Sequence, residues 1–259
     1  MPKGEVSVQK EISLPRLLCL IFIPTLILTA AYIFIGLSRN AIPSLLLYTI
    51  PAISLFFLLA AVILFPIEIG VVLYASKREY GSFSLKSAFS RHDKMSWWKI
   101  LLWGFLLFGF AGIVSVTIAP LENSLLAPIS GRLTQSIPAY FDWNNIGYLK
   151  QYPKSILTLT YALLFIFNVI VGPIAEELFF RGYLTSKISR FGNFAPLIIT
   201  VLFSLYHLWS PFNNLFRIFA FFPAAYIAWK KKNIYISIVF HCMSNLFSTI
   251  GIITAIAAI

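Results

Sequence analysis

Residues 17–37 read LLCLIFIPTLILTAAYIFIGL, a run of 21 residues without a charge. An α-helix needs about 20 apolar residues, rising about 1.5 Å each, to cross roughly 30 Å of hydrocarbon, and this run has that length. It does not alternate between apolar and polar positions, as the strands of a membrane β-barrel do over about ten residues. Similar blocks recur at residues 42–73, 100–118, 156–174, 194–209, 215–229 and 234–256, separated by short polar segments. The expected fold class is therefore all-α, a polytopic transmembrane helical bundle of about seven or eight spans. The count is open for two reasons. Block 42–73 is long enough to break at Pro51 or Pro66, and block 156–174 runs through Gly172 and Pro173 into a more polar helical stretch ending near Arg190.

Composition excludes a water-soluble domain. Of 259 residues, 59% are hydrophobic, 17% aromatic and 11% charged, with mean hydropathy +0.85, whereas soluble domains carry about 25% charged residues. In such a chain the net charge of +11 reports topology rather than nucleic-acid binding. With the N-terminus inside, fourteen of the Lys and Arg residues fall on the inner side and five on the outer side: Arg39, Arg132, Lys150, Lys154 and Arg217. Arg181 is left within a span. The bias favours a cytoplasmic N-terminus and an external C-terminus, in a multi-pass protein expected in a bacterial plasma membrane. Residues 1–16 read as a cytoplasmic tail. Residues 17–153 read as N-terminal spans with a basic inner loop at 77–99 and an external loop at 119–155, and residues 154–259 as a core that carries the chemistry. The loop at 77–99, with His92, Trp97 and Trp98, reads as an interfacial anchor on the lipid bilayer. Cys19 and Cys242 both lie in apolar blocks, so neither a disulfide framework nor a CxxC metal site is available.

The chemistry lies in what interrupts the apolar blocks, because an ionisable residue near the bilayer centre costs about 2.5–3.5 kcal/mol on insertion scales. AEELFFRGYL contains Glu176, Glu177 and Arg181. Glu177 and Arg181 are four apart and can pair along one helical face, whereas Glu176 is rotated by about 100° and is left free. FSLYHLW places Phe203 and His207 on one face, and HCMSN does the same for His241 and Asn245. Each pair alone has a structural reading, a hydrogen-bonded histidine in a packed helix or an asparagine joining two helices. Depth joins them. Counted from the same inner surface, Glu176, His207 and Asn245 each lie about 20 Å along their helices, with His241 one turn shallower.

These residues form the pattern EExxxR, FxxxH, HxxxN, and in that order they resemble the CPBP family of intramembrane proteases, named for CAAX processing and bacteriocin processing and also called Abi. The resemblance covers residues 170–247. It implies a cavity open to the cytoplasmic side and cleavage of a peptide or protein substrate near its end. Family members act on prenylated tails or other peptides, support bacteriocin immunity, or regulate other membrane proteins.

Chemistry and resemblance suggest the same roles. Glu176 can act as general base on a water that His207 shares or orients. His241 and Asn245 can donate hydrogen bonds to the oxyanion, while Glu177 and Arg181 hold their helix in register. No cofactor is expected on this scheme. The rival is a zinc site of Glu176, His207 and His241, since two His and a carboxylate form a known catalytic set. Asn is a poor zinc ligand and a good oxyanion donor, which favours metal-free chemistry. Cys242 points about 100° away from its neighbour His241, which argues against a thiol mechanism. Glu68 reads either as a snorkelling partner for Lys77 or Arg78 or as a residue lining the cavity, the former being favoured. A non-catalytic membrane scaffold, or an immunity or regulatory factor, is the alternative function.

Overall fold

The computed structural model describes residues 11–38, 50–136 and 146–257. Every regular element among them is helical. Parts of three expectations lie outside the described residues: the first ten of the N-terminal tail, residues 42–49 of the second block, and 137–145 of the external loop.

The helices are α1 (Leu14–Ser38), α2 (Ala52–Val62), α3 (Leu64–Tyr80), α4 (Trp97–Ser136), α5 (Lys154–Lys187), α6 (Ala195–Leu205), α7 (Asn214–Lys231) and α8 (Tyr235–Ala257). Among the described residues, five segments are long and apolar enough to cross a membrane: Leu14–Ile35, Ala52–Tyr80, Trp97–Leu133, Lys154–Lys187 and Tyr235–Ile256. The shorter α6 and α7 form a hairpin against them, and α7 and α8 both pack along α4. With these two included, the elements correspond to the seven apolar blocks.

The second block is continuous from Ala52 to Tyr80 apart from one kink. Pro66 has no N–H to give the carbonyl of Val62 and its ring crowds that group, so the helix bends at Ile63 (φ −111°). Pro51 precedes α2 instead of breaking it. Gly81, at φ 79°, ends α3 in the left-handed conformation that suits a residue without Cβ.

The expected external loop is largely helix. α4 runs 40 residues through Pro120 and Pro128, about 60 Å and twice the hydrocarbon thickness. Its polar stretch stays helical beside α7, where the buried Glu122 accepts hydrogen bonds from the backbone N–H groups of Leu215 and Phe216, both at 2.9 Å. A carboxylate from one helix thus satisfies two of the orphan donors at the start of another.

One end of the bundle gathers the basic segments. Lys187 Nζ lies 2.5 Å from Glu79, Arg190 3.0 Å from Glu11, and the Ile12 N–H donates to the Lys187 carbonyl at 3.1 Å. The Asp93 N–H donates to the Lys232 carbonyl at 2.8 Å, and Asn233 donates to the Asp93 carbonyl at 3.0 Å. The start of α1 and the ends of α3, α5 and α7 therefore share one face, as the charge count requires.

Candidate active site

α5 carries the acidic motif and is not a uniform α-helix. It widens into π-helix at Leu164–Val171 and again at Glu177–Leu184, with the short α-helical stretch Gly172–Glu176 between them. Such turns are uncommon and are frequent at functional sites. Here the cause is visible in the sequence. The Gly172 N–H bonds back five residues to the Phe167 carbonyl, and in that register Pro173 would serve Asn168 but has no N–H to give. Asn245 on α8 fills the gap, its amide donating to the Asn168 carbonyl at 2.8 Å. Gly172 is required as well, because a Cβ there would lie 2.7 Å from the Phe167 carbonyl oxygen.

The three motifs meet at this point. Glu177 pairs with Arg181 at 3.2 Å and accepts a hydrogen bond from Nδ1 of His241 at 3.0 Å. The other His241 nitrogen, Nε2, lies 3.6 Å from Glu176. Histidine 241 thus stands between the two carboxylates, its ring oriented by the one that also holds the arginine. The Arg181 guanidinium stacks on the Phe203 ring with 4.0 Å to the centroid. The Phe203 carbonyl lies 2.8 Å from Nδ1 of His207. A carbonyl only accepts, so Nδ1 carries the proton, and in the neutral ring Nε2 keeps its lone pair free. Phe203 therefore supports the site twice, through its ring and its backbone.

Glu176 is less solitary than its rotation along the helix suggests, because it accepts a hydrogen bond from the hydroxyl of Tyr206 as well as facing His241. Tyr206 directly precedes His207 and was missed because a tyrosine in an apolar run carries no charge signal. Glu68 is not a snorkelling residue. It is 1% exposed, within electrostatic reach of Glu176, and neither carboxylate oxygen has a hydrogen-bond partner among the described residues, while Lys77 bonds to the Gly81 carbonyl.

Glu176, Phe203, His207, His241 and Asn245 all line one cavity of about 640 Å³. Glu177 and Arg181 stand behind its wall. Along α8 the lining begins at His241 and continues through Asn245 and Ser248 to Gly251; on α4 it includes Ser115 and Asn123. No residue of α8 on the basic side of His241 takes part. The cavity therefore extends from the layer of Glu176, His207 and His241 away from the basic end. The placement of Arg217 is corrected. It is not a charge in an outer loop but is buried in the cavity wall. Among the described residues no group of three or more His, Cys, Asp or Glu side chains is placed to hold a metal ion.

Fold and site together describe a polytopic helical membrane protein with an acid–base cluster at the floor of a buried cavity. Residues 158–247 match the family model for the type II CAAX prenyl endopeptidase, Rce1-like. That segment contains all three motifs, and over it the resemblance drawn from them is borne out. No curated protein and no solved structure matches the chain.

Proposed function

We propose that the protein is an intramembrane endopeptidase that hydrolyses a bond near the end of a membrane-associated or lipidated peptide or protein. The observation that carries the proposal is the one carboxylate that described residues contribute to the cavity wall, Glu176, held by Tyr206 and flanked by two histidines whose orientations are set from behind. Glu176 takes a proton from a water whose oxygen attacks the scissile carbonyl, and His207 Nε2 accepts a hydrogen bond from that water. The carbonyl oxygen becomes the oxyanion. The proton then passes to the leaving amine as the C–N bond breaks, so one water is consumed per bond cut. Asn245 spends one N–H on Asn168, and its other contact, to Asn168 Oδ1, is a weak one at 3.5 Å. That second N–H can turn to the oxyanion. Such a donor accounts for about 10²–10³ in rate.

The test is cleavage of a quenched apolar peptide by purified protein in lipid nanodiscs. Glu176→Gln and His207→Ala should fall to background while helicity and monodispersity are kept, and wild-type activity should survive strong chelator. Wild-type cleavage by Glu176→Gln would remove Glu176 as the base, and no cleavage by the wild-type protein would make the scaffold reading the better one. Activity lost to chelator and restored by zinc alone would replace the metal-free mechanism. The basic end is assigned to the cytoplasm by its Lys and Arg excess. A cysteine at Lys231 should then resist an impermeant thiol reagent in intact cells, and one at Asn123 should label.

A further inference from the structure

Arg217, in the first turn of α7, is 8% exposed and is the one permanent cation among the described residues that line the cavity. Its terminal nitrogens make four contacts, all with neutral oxygens: Nη1 with the Ser204 carbonyl at 3.3 Å and Asn214 Oδ1 at 3.2 Å, Nη2 with the carbonyl (2.5 Å) and hydroxyl (2.8 Å) of Ser210. Its Nε makes no hydrogen bond among the described residues. The neighbouring acid, Glu122, has both oxygens engaged by the backbone of Leu215 and Phe216, and among the described residues Arg217 forms no ion pair. A buried cation without an anion at contact distance is expensive in a low-dielectric bundle. Its charge faces a cavity whose remaining wall, among the described residues, is neutral or apolar apart from the catalytic carboxylate and its histidines.

Resting on the peptidase reading, we propose that Arg217 is the subsite for the α-carboxylate of the substrate's C-terminus, which makes the cavity selective for chain ends over internal segments. A planar guanidinium fork suits a carboxylate, and a single cation suits a single negative charge. The apolar side chains Phe56, Phe65, Phe167 and Phe221 in the same wall suit the apolar residues that precede such an end. Glu122 acts through this subsite by fixing the turn of α7 that carries Arg217. The competing role for Arg217 is mechanical. Its bonds to Ser204 and Ser210 straddle His207 and would hold that turn in place whatever the substrate.

Paired probes separate the two roles: one N-dansylated apolar tetrapeptide made as the free acid and as the C-terminal amide, with binding read by fluorescence anisotropy in nanodiscs. Wild-type protein and the inactive Glu176→Gln variant should both bind the acid about tenfold or more tighter than the amide. Arg217→Gln should lower acid binding to the amide level and leave the amide unchanged, while Arg217→Lys should keep part of the preference. Equal binding of acid and amide to wild type overturns the proposal, as does equal weakening of both by Arg217→Gln. Should Arg217→Gln not fold, the wild-type preference and its reduction in Arg217→Lys decide. A preference for the acid without cleavage of any peptide would leave the subsite standing and remove the peptidase reading instead.

Discussion

The basic end of the bundle and the buried layer around Glu176 each hold an ion pair between an arginine and a glutamate, in opposite surroundings. Arg190 and Glu11 meet at 3.0 Å with side chains 38% and 32% exposed; Arg181 and Glu177 meet at 3.2 Å with side chains 2% and 1% exposed. The distances barely differ. What differs is the medium: water and salt screen the first pair, while the second was taken out of water at a cost that only its partners repay. The exposed pair shapes a surface. The buried pair is bound into a relay of Arg181, Glu177, His241 and Glu176.

The largest expected effect follows from breaking that relay. Glu177→Ala strands Arg181 in the bundle and removes the group that orients His241, so stability should fall by about 3–5 kcal/mol and activity with it. Replacing Glu177 and Arg181 together by an uncharged pair should recover part of the stability and none of the orientation. Unfolding in mixed micelles measures the first effect and peptide turnover the second. A Glu177→Ala variant as stable as wild type would erase the contrast between the two regions.

Asn245→Ala should have an intermediate effect on stability, because it reopens the Asn168 carbonyl left by Pro173. Interhelical bonds of this kind contribute about 0.6–2 kcal/mol. The rate should fall by about 10²–10³ with substrate affinity little changed. A rate loss no larger than the stability loss explains would confine Asn245 to joining α5 and α8.

The smallest effect belongs to the basic end and depends on pH. The hydrogen bond from the Arg190 side chain holds the Glu11 carboxyl below its ordinary value of 4.5. A depressed value means that the bond's stabilisation is complete above the unfolded-state value and disappears as pH falls through the folded one. Glu11→Gln should therefore lower the melting temperature slightly at neutral pH and low salt, and converge with wild type in acid. A gap that stays constant from neutral pH into acid would show that the charge of Glu11 contributes nothing.

Hydropathy and spacing located most of what is periodic along the chain. The apolar blocks became helices, the charge count put the correct ends together, and the intervals in EExxxR, FxxxH and HxxxN brought Glu176, Glu177, Arg181, His207 and His241 into contact range or onto one wall. These are local properties, since a helix displays its own sequence at fixed angles before any neighbour arrives. The sequence also contained Pro173 and Asn168, but nothing in their spacing points to Asn245 as the group that resolves the missing bond.

The tertiary structure decided the partners that come from other helices. Only packing brings the Tyr206 hydroxyl to Glu176, buries Glu68 beside it, and turns Arg217 from a presumed surface charge into part of the cavity wall. Only packing gives the buried Glu122 of α4 its partners, the backbone N–H groups at the start of α7. The side toward which the cavity extends was likewise settled by how α4, α5 and α8 lie against one another. Sequence determines which face of a helix is polar. Which neighbour answers that face depends on distances between segments far apart along the chain, and these exist only once the bundle has closed.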